Sequence, residues 1–297
     1  MLRLGMLDFD TSHVVEFTKR LNHKGITEDQ WVEGARVVVA CPGESRIMPE
    51  RIPGYTRAMQ ELGVPLVDKP TDMIGKIDGI MVESQQGSVH LERARPFLEA
   101  GIPCWIDKPF TCSTADAQRI VELAARKNVS VFSSSSLRYA PEVVNLITSL
   151  KQGKTLGALT YGPASLHDGN PGLFHYGIHA VEMLYTLMGP GCLRLTCTHE
   201  QGADVTTGQW KDGRLATVRG LRSGKTPFGF VAFTDQGVHA VSVGTSFIYR
   251  ELLKKIVEFF STRKAPVDIT VTVEIVAFIE AAWKSAQNHG TGEKLPV

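Results

Sequence analysis

The chain is predicted to be α/β plus α+β, with a helix-covered parallel sheet followed by a domain built on a large, mostly antiparallel sheet. Three observations predict it. Residues 1–140 alternate strand-like and helix-like runs, the rhythm of βαβ units. From about Gly157 onward, strand candidates follow one another with few helices between them. The 297 residues, 43% of them hydrophobic, suffice for two cores. The expected division is 1–140 and 141–297, with the closing helices free to pack back on the first domain.

Leu2 to Leu7 is a short apolar strand, and Thr11-Ser12 precede a helix from about His13 to Asn22, where capping hydroxyls belong. Ala35 to Ala40 is a valine-rich second strand, Tyr55 to Leu62 a helix and Val64 to Val67 a short strand. Ile77 to Glu83 reads as a buried strand, and Ser88 to Ala100 as a helix closed by Gly101. Pro103 to Ile106 is a strand. Ser113 to Lys127 is a helix, because Ala117, Ile120, Val121, Leu123 and Ala124 recur at helical spacing. Val129 to Ser133 ends this rhythm, and a serine cluster follows, too short to be a linker. The later strands are Ala158 to Leu166, Leu193 to His199, Leu215 to Leu221, Phe228 to Phe233 and Val238 to Val243. A helix from about Leu173 to Met188 interrupts them, and helices near Tyr249 to Phe260 and Val271 to Gln287 close the chain. A wide sheet with one face left uncovered needs a partner, so a homodimer or homotetramer through the C-terminal sheet is expected.

Composition narrows the function classes. With 32 basic and 31 acidic residues, no general attraction to nucleic acid or an anionic membrane is implied. Cys41, Cys104, Cys112, Cys192 and Cys197 are odd in number and form no CxxC pair, as in a reduced cytoplasmic protein. The N-terminus begins directly with a strand, and no signal peptide or membrane span is visible.

Three segments carry chemistry. A strand ends at Asp107-Lys108-Pro109, and a lysine at the carboxyl end of a strand in an open α/β sheet points into the crevice where such folds hold ligands. The first turn reads Asp8-Phe9-Asp10-Thr11-Ser12-His13. A dinucleotide fingerprint requires glycine at the positions of Asp8 and Asp10, and each carboxylate would repel a pyrophosphate by about 4 kcal/mol at ~4 Å and an effective dielectric near ~20. Thr11, Ser12 and His13 remain as donors at a helix N-terminus. Ser45 and Arg46, after the second strand, suit a 2′-phosphate, leaning toward NADP over NAD, with an exposed turn as the plain alternative. In the third segment, His175, His179 and Glu182 are spaced by four and three residues, which on a helix gives one face able to bind a divalent metal, with His167 and Asp168 just upstream. Trp105 and Trp283 are read as core residues.

The segment Ile77 to Pro109, with its strand, His90 on the next helix, Glu99-Ala100-Gly101 at that helix end and then Asp107-Lys108-Pro109, resembles the glucose-fructose oxidoreductase, inositol dehydrogenase and rhizopine-catabolism family. The family's triplet is E-K-P. Gly172 to Gly189 resembles its D-x-G-x-H-x-x-D helix, with His179 matching the catalytic His, His175 in place of an Asp, and Glu182 in place of a second Asp. The resemblance implies a Rossmann-like domain and a sheet domain presenting a sugar or polyol to a nicotinamide. It further implies that Lys108 polarises the reacting oxygen while His179 or its neighbour His175 exchanges the proton, as alcohol oxidation requires. By family position Glu83 and Ser84 contact the cofactor and Arg138 faces the substrate pocket, with a surface salt bridge as its equal alternative; His167, His175 and Glu182 complete the expected substrate set.

The expected function is an NAD(P)-dependent oxidoreductase of a sugar, polyol or related carbohydrate. Lys108, His179 and His175 are its catalytic residues, and Asp8, Thr11, Ser12, His13, Ser45, Arg46, Glu83, Ser84, Asp107 and Lys108 form the cofactor set. The altered glycine turn keeps two alternatives open. One is a metal-dependent, non-redox carbohydrate lyase or isomerase using His175, His179 and Glu182 as ligands; the other is an inactive sugar-binding subunit.

Overall fold

A computed structural model describes residues 1–151 and 153–296. The chain divides into two compact units. The first comprises Met1–Thr111, Ala115–Ser133 and Tyr249–Ile269; the second comprises Cys112–Thr114, Ser134–Ile248 and the residues from Thr270 onward.

In the first unit, β1 (Leu2–Leu7), β2 (Ala35–Cys41), β3 (Gly79–Val82), β4 (Cys104–Ile106) and β5 (Val131–Phe132) form a parallel sheet in the order β2-β1-β3-β4-β5. Helices α1 (His13–Asn22), α2 (Ile52–Glu61), α3 (His90–Glu99) and α4 (Thr114–Lys127) alternate with them. β1 is buried from Leu4 onward, as a strand covered on both faces must be. α1 buries Val14, Val15, Phe17 and Leu21 at helical spacing and ends at His23 in the left-handed conformation, φ 55. The expected strand Val64 to Val67 is reduced to one bridge, Ala40 to Leu66.

The second unit begins its regular structure with α5 (Pro141–Leu150), which the sequence reading did not anticipate although Val143, Leu146 and Leu150 mark its buried face. It continues through β6 (Thr155–Pro163), α6 (Ile178–Met188), β7 (Cys192–Glu200), β8 (Ala203–Trp210), β9 (Leu215–Leu221), β10 (Phe228–Thr234) and β11 (Gly237–Val243). After β11 come α7 (Ile248–Thr262), α8 (Ile269–Gln287) and β12 (Glu293–Lys294). The sheet order is β11-β10-β6-β9-β8-β7-β12, antiparallel throughout except for the parallel β6–β9 pair. β8 was not expected either, because its buried alternate positions are Asp204, Thr206, Gly208 and Trp210, three of which are not apolar.

Residues of α7 from Tyr249 onward belong to the first unit, where the Phe260 ring lies 2.4 Å from where a Cβ on Gly79 would be. Trp105 is fully buried with its ring edge-on to Phe132 at 5.0 Å. Burial of side chains this large contributes about 1.5–3 kcal/mol each. Trp283, expected in the core, is half-buried.

Candidate active site

The strand order turns around between β1 and β3, so the carboxyl ends of these strands open on the crevice where such sheets hold ligands. Asp8 to His13 follow β1, Glu83-Ser84 follow β3 and Asp107-Lys108 follow β4.

Asp8 stands in the left-handed conformation, φ 66, which glycine ordinarily supplies. The turn thus keeps a glycine-like backbone while carrying a carboxyl. That carboxyl is 1% exposed and accepts hydrogen bonds from Ser84 Oγ and from Arg93 Nε, the latter at 3.0 Å. Its room comes from Gly43, φ 63, where a Cβ would lie 1.8 Å from Asp8 Oδ1. Burial raises the Asp8 pKa to about 6 against the lowering pull of Arg93 and Ser84. Asp10 is also buried and accepts from the Gln85 backbone N–H at 2.8 Å; burial raises its pKa too. Arg51 donates to the Asp10 carbonyl at 3.3 Å and to Gln85 Oε1 at 3.4 Å. Both acids expected to face a pyrophosphate are therefore turned into a bonded interior. Ser12 is the exposed N-cap of α1 and makes no side-chain cap bond, while Thr11 Oγ1 is 3.5 Å from the His13 nitrogen, at the limit of a hydrogen bond.

His13 Nδ1 donates to Asp107 Oδ2 at 2.6 Å, and Asp107 Oδ1 accepts from the Lys108 backbone N–H at 2.7 Å. Lys108 is 6% exposed, and its peptide with Pro109 is cis. Burial alone would raise Asp107, but the combined pull of His13 and Lys108 outweighs it and holds this carboxyl below the usual range. Glu83, fully buried and 3.9 Å from His13 Nδ1, is pushed well above the usual range by burial and then by the Asp107 charge. The two neighbouring carboxyls are thus pushed in opposite directions, Asp107 down and Glu83 up. Among the described residues, His13, Glu83 and Asp107 form the set of ligand-type side chains within 4.8 Å of one another. His90 is fully buried, with Nδ1 3.0 Å from the Phe110 carbonyl and Nε2 2.7 Å from the Ser84 carbonyl, so it ties the loops after β3 and β4.

Beside Asp8, a cavity of about 410 Å³ is lined by Cys41, Pro42, Gly43, Glu44, Val67, Asp68, Pro70 and Arg93. Ser45 is not among its lining residues: its Oγ accepts from the Ile47 and Met48 backbone N–H groups at 3.3 and 3.0 Å. Arg46 is exposed.

In the second unit, His179 Nδ1 lies 2.6 Å from Ser135 Oγ, both residues buried. Three residues further along each segment, Arg138 forms a buried ion pair with Glu182, its Nη2 2.7 Å and Nε 2.8 Å from Oε2. His175 does not share the helix face expected for it. α6 starts at Ile178, after a turn in which Gly172 has φ 56 and a Cβ on Gly177 would strike Leu173. With Glu182 taken by Arg138 and His179 by Ser135, the trio His175, His179 and Glu182 is not drawn together as a ligand set. His167, half-buried, has its ring 5.2 Å from that of His175. Ser135, Arg93 and Gly43 were not singled out from sequence; for Ser135, the signal was its place in the serine cluster after a strand.

Residues 46–135 match the model of an oxidoreductase family with an NAD-binding Rossmann fold. YceM of Salmonella typhimurium strain LT2, a protein assigned an oxidoreductase role, is 28% identical over 135 residues; the match covers 45% of this chain and 44% of that protein, less than half of either. Two solved structures share the fold over nearly the full length. GenD2 from gentamicin A biosynthesis, in complex with NAD, has a TM-score of 0.81 at 15% identity, covering 100% of this chain and 97% of its own. The myo-inositol dehydrogenase of Lactobacillus casei, in complex with NAD(H) and myo-inositol, has a TM-score of 0.79 at 14% identity with the same coverage. The residues matched by the family model include β3, β4 and β5 of the parallel sheet and the Asp107-Lys108-Pro109 triplet that follows β4.

Proposed function

We propose that the chain is an NAD-dependent oxidoreductase of a sugar, polyol or related carbohydrate. The observation that carries this reading is Lys108, almost wholly buried at the end of β4 beside an ionised Asp107. A buried cation at a ligand crevice is the group that an oxygen acquiring negative charge requires.

The first unit suits a dinucleotide despite the missing glycines. The turn after β1 keeps its left-handed backbone at Asp8, and both carboxyls are bonded inward. The cavity beside Asp8 has room for a nucleoside. Asp8, Glu44 and Asp68 line it against one cation, Arg93, already paired with Asp8, so a 2′-phosphate is disfavoured and NAD replaces the expected preference for NADP. Thr11, Ser12 and His13 at the start of α1 would lie nearest the pyrophosphate. When bound, the nicotinamide supplies the hydride acceptor or donor.

Lys108 orients and polarises the reacting oxygen, His179 hydrogen-bonds the substrate, and His175 with His167 binds hydroxyls or exchanges a proton. No described helix is long and apolar enough to cross a membrane. The five cysteines are all described and are not joined in disulfides, and four of them are buried, which fits a reducing compartment.

Calorimetric titration with NAD(H) and NADP(H) tests the reading. Micromolar binding of NAD(H), tighter than NADP(H), is expected. Absence of binding by both overturns it.

A further inference from the structure

We propose that Ser135 is a positioning residue that holds neutral His179 as the tautomer with its proton on Nε2, so that the ring meets the reacting oxygen as a hydrogen-bond donor rather than as a base. The proposal rests on the reading of His179 as a site residue.

The argument is a count of protons. Ser135 is fully buried, and its Oγ lies 3.1 Å from the Leu137 backbone nitrogen and 2.6 Å from His179 Nδ1. A backbone N–H can only donate, so the hydroxyl accepts from Leu137. Its single proton, shut away from water, must still find an acceptor. Among the described residues that acceptor is His179 Nδ1. Nδ1 therefore offers its lone pair, and the proton of the neutral imidazole resides on Nε2.

The geometry is held at two points. Ser135 caps the short turn Ser136–Tyr139 through the same Oγ, and three residues on, Arg138 grips Glu182 one turn along α6 from His179. The paired spacing fixes the turn against the helix and leaves the ring little freedom to rotate. Forming the imidazolium would place a second N–H against the hydroxyl and deprive the serine proton of its acceptor, so this pairing favours the neutral ring.

The chemical consequence is a change of role. A carboxylate partner would accept from Nδ1–H and leave Nε2 as a base; a donating serine does the reverse. A neutral Nε2–H polarises a carbonyl or steadies an alkoxide without giving up its own proton, which would leave an imidazolate. Proton exchange then falls to a different side chain, and His175 is the other buried histidine of this segment.

The test is long-range proton–nitrogen correlation spectroscopy of the full chain labelled with ¹⁵N at histidine, with His179 assigned by loss of its signals in His179→Gln. At a pH where the ring is neutral, Nδ1 is expected to resonate as an unprotonated nitrogen and Nε2 as a protonated one. A proton on Nδ1 in the wild type overturns the proposal. Ser135→Ala is expected to shift the tautomer ratio toward Nδ1–H by about fivefold, the worth of one ordinary hydrogen bond. Ser135→Thr, which keeps a hydroxyl, is expected to keep the Nε2–H form. An unchanged ratio in folded Ser135→Ala also overturns the proposal. Since Leu137 loses its acceptor in that variant, the wild-type and Ser135→Thr spectra decide the matter if it fails to fold. None of these spectra needs cofactor or substrate, so a failed dinucleotide titration is read separately.

Discussion

Asp8 keeps a carboxyl out of water beside an arginine and a serine, and the balance of those forces fixes its response to pH. Its folded pKa of about 6 lies above the ordinary value of 3.8 because desolvation outweighs Arg93 and Ser84. The folded state therefore holds this proton more tightly than the unfolded chain does. Below about pH 4 the group is protonated in both states and carries no penalty; as pH rises from about 4 to 6 the unfolded chain ionises first, and stability falls by up to about 3 kcal/mol. Asp8→Asn lacks this proton, so urea melts at pH 4, 5, 6 and 7 are expected to show the variant gaining on the wild type through that window. A constant difference would refute the raised pKa. The same residue shows what a linear reading of the chain can and cannot reach. Asp8, His13, Lys108 and His179 were recognisable from residue type and position after a strand or on a motif helix. Arg93 and Ser135 were not, because they act through partners 85 and 44 positions away, Asp8 and His179. Glu182 is drawn away from the alternative role of metal ligand for the same reason, since the cation that claims it comes from Arg138.

Between elements, the turn after β1 and the loop after β2 are cut to fit each other. Gly43 combines a left-handed backbone with a Cβ position only 1.8 Å from the Asp8 carboxyl. Gly43→Ala is expected to destabilise the chain by about 1–3 kcal/mol through this clash and a further ~1 kcal/mol through backbone strain. In an Asp8→Gly background the clash contribution should vanish. Thermal melts of the four members of this cycle measure it, and additive effects would sink the claim of a fitted pair. Elements with regular apolar spacing were legible at this scale: β1, α1 and β9 run over the residues expected for them. β8 escaped because its hidden side is built from Asp204, Thr206 and Gly208, with Asp204 bonded to Arg222 at 2.6 Å, so alternation of burial has no matching alternation of hydrophobicity. α6 begins later than expected because the glycines at 172 and 177 serve a turn rather than a helix.

At the scale of the whole molecule, the sheet of the second unit keeps Leu193, Leu215, Phe233 and Val238 exposed. We propose that a second copy of the chain covers apolar surface of this sheet, giving a homodimer or homotetramer. Sedimentation velocity at micromolar concentration is expected to show an assembly that Val238→Glu weakens; a monomeric wild type would end that proposal. The order of the strands in this sheet also bears on how the protein is made. β6 is the first of its strands to leave the ribosome, yet its two neighbours, β9 and β10, begin at Leu215 and Phe228. While β7, β8 and β9 can zip into a meander and β10 and β11 into a hairpin, β6 waits with both edges unpaired. The first unit waits as well, since Tyr249–Ile269 arrive later still. Nascent chains halted before Thr234 therefore present an open strand to one another, and it is there, rather than at the reaction site, that crowded synthesis would turn this sequence toward aggregation.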